Sequence, residues 1–210
     1  MSPEPEVAPP PERVLVIACG ALARELLDLI KLNGLDWVDV ECLPAKLHNT
    51  PQLITDAVEA RILQASGRYG RVLVGYADCG TGGQLDRMLA RHGVERLPGA
   101  HCYEFFAGAG LFAELHEADP GTFYLTDYLA RHFDRLIWEG LGMDRWPQLR
   151  DEYFRNYRRL VFLSQTEEPR LVHRAREAAA RLGLAFEHHP VGYGDLQGAL
   201  VRFARGGSAA

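Results

Sequence analysis

The chain has 210 residues, 47% of them hydrophobic and 24% charged, enough for one globular domain with a sizeable core. Its formal net charge of -5 and the lack of any dense Lys/Arg run exclude a general nucleic-acid or anionic-membrane surface, because both rely on neutralising phosphates. No stretch reaches the roughly 18 apolar residues of a membrane span.

The opening MSPEPEVAPPPE, residues 1–12, is rich in Pro and Glu and lacks the basic-then-apolar pattern of a signal peptide. A disordered arm and a cytoplasmic protein are expected, with a single α/β domain over 13–205 and a flexible tail at 206–210. In a reducing cytoplasm the expected use of the four cysteines is metal binding or catalysis rather than disulfides, with buried inert thiols as the alternative.

RVLVIACG, 13–20, reads as a buried strand ending in Cys-Gly, and ALARELLDLIKLNG as an amphipathic helix stopped at Gly34. WVDVECLP, 37–44, alternates like a second strand and would set Cys42 in the core with Val38 and Val40. KLHNTP is a loop carrying His48, with Pro51 opening a helix that runs to about Ser66. RVLVGYADCG, 71–80, repeats the form of the first strand, so both should be central and end at one edge of the sheet. QLDRMLARHG is a short helix, and ERLPGAHCYEFFAG carries a weak strand into a polar turn at His101-Cys102. GTFYLTDYLA, 121–130, passes from strand to helix; RLVFLSQT, 159–166, and LAFEHHPVG, 184–192, are further strands around the amphipathic EPRLVHRAREAAARLG. This alternation predicts a single α/β domain with a largely parallel central sheet flanked by helices, a Rossmann-like layering.

In open α/β sheets, ligands collect outside the carboxyl ends of strands. Cys19 and Cys79 lie at two such ends, His48 in the loop after the intervening strand, and His101 with Cys102 after the next. Three thiolates and a histidine, His48 or His101, suit a tetrahedral zinc site or three-cysteine attachment of an iron-sulfur cluster. Gly80, Thr81 and Gly82 either offer N–H groups to an anion of a small ligand or simply shape a tight strand-to-helix turn. The helix that follows is expected to lower the Cys79 pKa. Asp78 and Glu104 are candidate general acid/base groups or plain capping carboxylates, and Tyr76 and Tyr103 candidate pocket residues.

The ordered set ACGALAREL, LPAKLHNTP, GYADCGTGG, PGAHCYEFF, GTFYLTDYL and GYGDL resembles the family catalogued as domain of unknown function 1638, from Arg13 to about Val201. The resemblance implies an α/β fold and a site built from the cysteines after the first and third strands, the histidine of the LHN segment and the His-Cys turn. It also implies a link to corrinoid-dependent methyl-transfer systems, and so to one-carbon or methylated-amine metabolism. The chain departs from the family in carrying His101-Cys102-Tyr103 where many members have His-Asp-Cys. Three readings stay open at this point. The first is a metalloenzyme acting on a small polar or methylated metabolite through Cys19, Cys79, Cys102 and His48. The second is a non-catalytic protein that binds or delivers a metal or corrinoid-related ligand. The third is a metal-free thiol enzyme using Cys79 with His48 or His101 as base.

Overall fold

The two Arg-Val-Leu-Val runs lie side by side. In the computed structural model, which describes residues 12–209, strand β1 (Val14–Cys19) is buried at every position. Such a run sits comfortably only where both faces of a sheet are covered. β1 pairs in parallel with β2 (Val38–Leu43) on one side and β3 (Arg71–Gly75) on the other, and the two-residue β4 (Glu95–Arg96) extends the order to β2-β1-β3-β4. Helices α1 (Ala23–Leu32), α2 (Gln52–Ala65) and α3 (Gln84–His92) make the crossovers. The disordered arm expected over 1–12 falls, apart from Glu12, outside the described residues.

The α/β class and the parallel pairing are as the sequence predicts, but the parallel strands divide between two sheets. β4 stops short at Pro98, which has no amide for a longer ladder, and the chain turns into α4 (Cys102–Ala107) and α5 (Ala109–Ala118). β5 (Thr122–Thr126), β6 (Arg159–Ser164) and β7 (Ala185–Pro190) then form a separate three-stranded parallel sheet. Helices α6 (Asp127–Arg131), α7 (Leu149–Phe154) and α8 (Pro169–Leu182) belong to this second half, together with a π-helical turn at Asp134–Trp138. No helix among the described residues is long and apolar enough to cross a membrane.

The last helix, α9 (Asp195–Ala204), returns to the first sheet, where Leu196, Leu200 and Phe203 join its core. Gly194 sets its entry: φ is +49°, and a Cβ there would stand 2.3 Å from the Phe106 carbonyl oxygen of α4. The described part of the segment expected as a loose tail, 206–209, is tied down as well. Arg71 donates to the carbonyls of Phe203 and Gly207 at 2.6 and 2.7 Å, and Glu95 accepts from Ser208 Oγ and the Ala209 amide at 2.7 and 3.0 Å.

Cys42, expected in the core, is exposed. β2 is an edge strand, and its covered face runs out along its length: Val38 is buried, Val40 half-buried and Cys42 open. Conversely, the charged residue Glu25 of α1 is only 4% exposed, with Oε2 lacking any hydrogen-bond partner. Burial pushes its carboxyl above the ordinary range; its own backbone amide pulls the other way, the charge of Asp127 from the second half adds to the rise, and Arg131 and Arg24 oppose it more weakly.

Two stability predictions follow from this packing. Gly194→Ala should destabilise the fold by about 2–3 kcal/mol in chemical denaturation, because both the backbone angle and the α4 carbonyls oppose a side chain. For Glu25 the folded state holds its proton more tightly than the unfolded chain, so stability is fullest below the ordinary carboxylate pKa of about 4 and falls as pH rises through the raised folded value. Glu25→Gln should therefore raise the melting temperature at neutral pH and leave it unchanged near pH 4, a difference that thermal melts at the two pH values will show.

Candidate functional site

A cavity of about 150 Å³ opens where the carboxyl ends of β1 and β3 meet the end of β5. β1 leads to β2 on one side while β3 leads to β4 on the other, so the strand order reverses between them, the place where open α/β sheets leave a crevice. Cys19, Cys79, Cys102 and His48 all line this cavity. Tyr76 and Tyr103 line it too. Phe123, Thr126 and Tyr128 close it from the second sheet, with Leu136 and Ile137 of the π-helical turn.

Each thiol is placed by backbone chemistry. Cys19 ends β1, and its Sγ accepts from the Ala21 amide at 3.3 Å while standing 3.8 Å from His48 Nδ1. Cys79 has φ of +51°, the only non-glycine residue in the left-handed region among the described residues. That conformation costs a cysteine on the order of 1–2 kcal/mol relative to ordinary backbone. It is held by hydrogen bonds between loops: Asp78 and Cys79 donate their amides to the carbonyls of Gly99 and Ala100 at 3.2 and 2.9 Å. The same bonds draw in Cys102, which opens α4 rather than sitting in the expected polar turn.

The imidazole of His48 lies within the short turn Ala45–Asn49. Nδ1 is 3.1 Å from the Ala45 carbonyl, which fixes it as the N–H donor and leaves Nε2 as the ring's lone-pair atom. The ring stacks on Tyr76 with centroids 5.9 Å apart. Burial lowers the His48 pKa, so the imidazole is neutral at physiological pH. Tyr76 is 1% exposed, and among the described residues its hydroxyl has no partner at full hydrogen-bond geometry, with the Cys19 thiol beside it.

The thiols titrate in the direction opposite to that expected for Cys79. Burial pushes Cys19 up to about 12 and Cys79 up to about 11, and it raises Cys102 well above the ordinary thiol value. Cys19 and Cys102 each feel Cys79 as a like charge, the electrostatic sign that they are its neighbours, while the like charge that raises Cys79 itself is Asp78. The start of α3 does not rescue Cys79, because the Gly82 and Gly83 amides point at Asp78 instead, at 3.2 and 2.9 Å.

That bonding also assigns the carboxylates. Asp78 accepts from Gly82, Gly83 and the Thr81 hydroxyl; burial raises its pKa, but these donors together hold it below the ordinary carboxylate range. Glu104 accepts from the Ala100 amide at 2.9 Å. Both therefore brace the two cysteine loops, and neither lines the cavity. Gly80, Thr81 and Gly82 lie outside the lining and shape the turn, with φ of +83° at Gly80 and +61° at Gly82. His101 is exposed at the start of α4 and is likewise not part of the wall. Among the described residues no three His, Cys, Asp or Glu side chains are already drawn together as a metal-binding group. The second-sheet wall was missed by sequence reasoning, although Thr126 ends its strand by the same rule that found Cys19 and Cys79.

The chain belongs to the family described as protein of unknown function, DUF1638, whose model matches residues 42–200. The matched span includes His48, Cys79, Cys102 and the whole second sheet, while Cys19 precedes it. No curated protein and no solved structure matches the chain.

Accessibility predicts an order of thiol reactivity. Iodoacetamide at mildly alkaline pH should label Cys42 first, because it alone is exposed, while Cys19 and Cys79 stay protonated and label only on unfolding. Peptide mass mapping over time checks the order; early labelling of Cys79 would contradict it.

Proposed function

We propose that Cys19, Cys79, Cys102 and His48 bind a soft metal centre, zinc or an iron-sulfur cluster, beside a cavity that receives a small molecule. The observation that carries this reading is the gathering of three thiols and a neutral imidazole around one cavity. The donor set fits such a group chemically. Three thiols that resist ionisation chiefly through desolvation, Cys19 and Cys79 buried and Cys102 half-buried, would each be favoured as thiolates by a cation among them. His48 needs no proton removed from Nε2. The side chains would have to converge from their present spacing to close a coordination sphere.

Two uses of such a centre are in play. As a metalloenzyme, the protein would use the ion's Lewis acidity to lower the pKa of a bound water or substrate thiol. The largely apolar wall from Leu22, Phe123, Leu136 and Ile137 suits a methylated metabolite better than a strongly polar one. The alternative is a binding or delivery protein, whose partner by family resemblance would be a corrinoid-dependent methyl-transfer system. A specific observation favours this second use: among the described residues no carboxylate lines the cavity, since Asp78 and Glu104 are committed to the loops. A metal-free thiol nucleophile is the least supported reading, because Cys79 at about 11 carries little thiolate at neutral pH.

Protein purified without oxygen should contain zinc, or iron with sulfide, in fixed ratio to the chain. Cys19→Ser and Cys79→Ser should each lose most of it, whereas Cys42→Ser should keep it. Affinity should rise with pH, since loading displaces thiol protons that are held up to about 12 at Cys19 and about 11 at Cys79. Full metal retention in both the Cys19 and Cys79 variants would end the metal reading. Turnover assays on methylated amines and thiols with the loaded protein separate enzyme from carrier.

A further inference from the structure

The thiol cavity does not end at its own walls. Ala45, Lys46, Asn49, Tyr128 and Leu136 also border a second, more open space of about 470 Å³, so the two adjoin along a shared wall as a two-part passage between the halves of the molecule. The outer space is faced by Lys46 from the turn after β2 and by Arg135 from the π-helical turn of the second half. Neither cation has a carboxylate ion-pair partner among the described residues, and Arg135 stands beside the hydroxyl of Tyr128, which borders both spaces. Among the described residues no Asp or Glu lines either space. On a chain of net charge -5, this places two cations around one opening with no compensating acid among the described residues.

The backbone supplies an independent sign. Asp134–Trp138 forms a π-helix, a rare turn that occurs mostly at functional sites, and its consecutive residues are shared out along the passage. Arg135 faces the outer space, Leu136 both spaces, and Ile137 the inner cavity. The passage is therefore cationic outside, with an apolar and thiol-bearing interior.

We infer that this passage binds a small amphiphilic anion, its carboxylate or phosphate held between Lys46 and Arg135 and its short apolar end lodged in the cavity beside the cysteines. Arg135 offers a planar fork to such a head group and Lys46 a point charge. The inference deepens the small-molecule half of the function proposed above and rests on the cavity being the working site. It does not require the metal.

Calorimetric titration of the metal-free full-length protein tests it, with pentanoate, butyl phosphate, acetate, pentanamide and pentylamine as probes. Pentanoate or butyl phosphate should bind about tenfold more tightly than the amide or the amine, and the stronger of the two identifies the head group. Acetate should bind weakly, because it lacks the apolar end. Lys46→Met and Arg135→Met should each weaken the preferred anion by about tenfold, and the double variant should abolish binding; both residues are exposed, so the variants should melt like the parent. Equal binding of pentanamide, unchanged affinity in the double variant, or no binding by either anion would overturn the inference. Because the titration contains no metal, that failure is distinct from a failure of the metal analysis.

Discussion

The close approach of β1 and β3 at their carboxyl ends is the constraint on which the site depends. A Cβ at Gly75 would stand 2.8 Å from the Ala18 Cβ, so the two strands can pack this tightly only with glycine there. One residue later on each strand come Cys19 and Tyr76, and both therefore face the same small volume. Moving the strands apart would separate the Cys19 thiol from the His48–Tyr76 stack and from the loop that carries Cys79. Site geometry and sheet packing are the same contact seen at two scales.

Beyond the strand ends, precision comes from polar groups that do no chemistry themselves. Asp78, Glu104 and Arg96 each satisfy loop amides or carbonyls: Asp78 within its own turn, Glu104 at Ala100, and Arg96 at Leu97 and Gly99 with 2.7 and 3.1 Å contacts. Arg96 is itself fixed by a two-bond pair with Asp86 of α3. These bonds offset the backbone cost of a left-handed Cys79, a residue that a glycine could replace without strain but without a sulfur. Strain of this kind persists only where its surroundings over-determine it, and here they do so through four separate segments of chain.

The two sheets give the cavity its asymmetry. The first contributes sulfur and imidazole, the second mainly aromatic and aliphatic surface, and the second is itself locked at its strand ends by Asp127, which accepts from the Gln165 and Thr166 amides at 3.1 and 3.0 Å. Glu25 lies between these regions without a full set of partners. The boundary between the halves is thus both where the passage runs and where the fold carries an unbalanced buried carboxyl. α9 binds the end of the chain back to the first sheet and to α4, while α5 packs on the second sheet, so the second half is an insertion between α4 and α9 in terms of packing.

The sequence by itself determined the α/β class, the parallel pairing of the two Arg-Val-Leu-Val strands and the arrival of Cys19, Cys79 and His48 at one edge, because strand period and the handedness of βαβ crossovers act locally and repeat. It did not reveal that β4 would end after two residues and leave a second sheet, since where a ladder stops depends on which partner is available. Cys42 shows the same limit: alternation assigned it a face, but only the edge position of β2 decided that the face would be open. Tertiary structure alone also decided the ionisation of the thiols, because the desolvation that dominates at all three comes from segments distant in the chain, and at Cys79 the helix start expected to oppose it turns its amides to Asp78. The meeting of Lys46 with Arg135 across the passage is of that kind too: nothing in either local stretch encodes the other, and only the packing of one sheet against the other brings the two charges to a common opening.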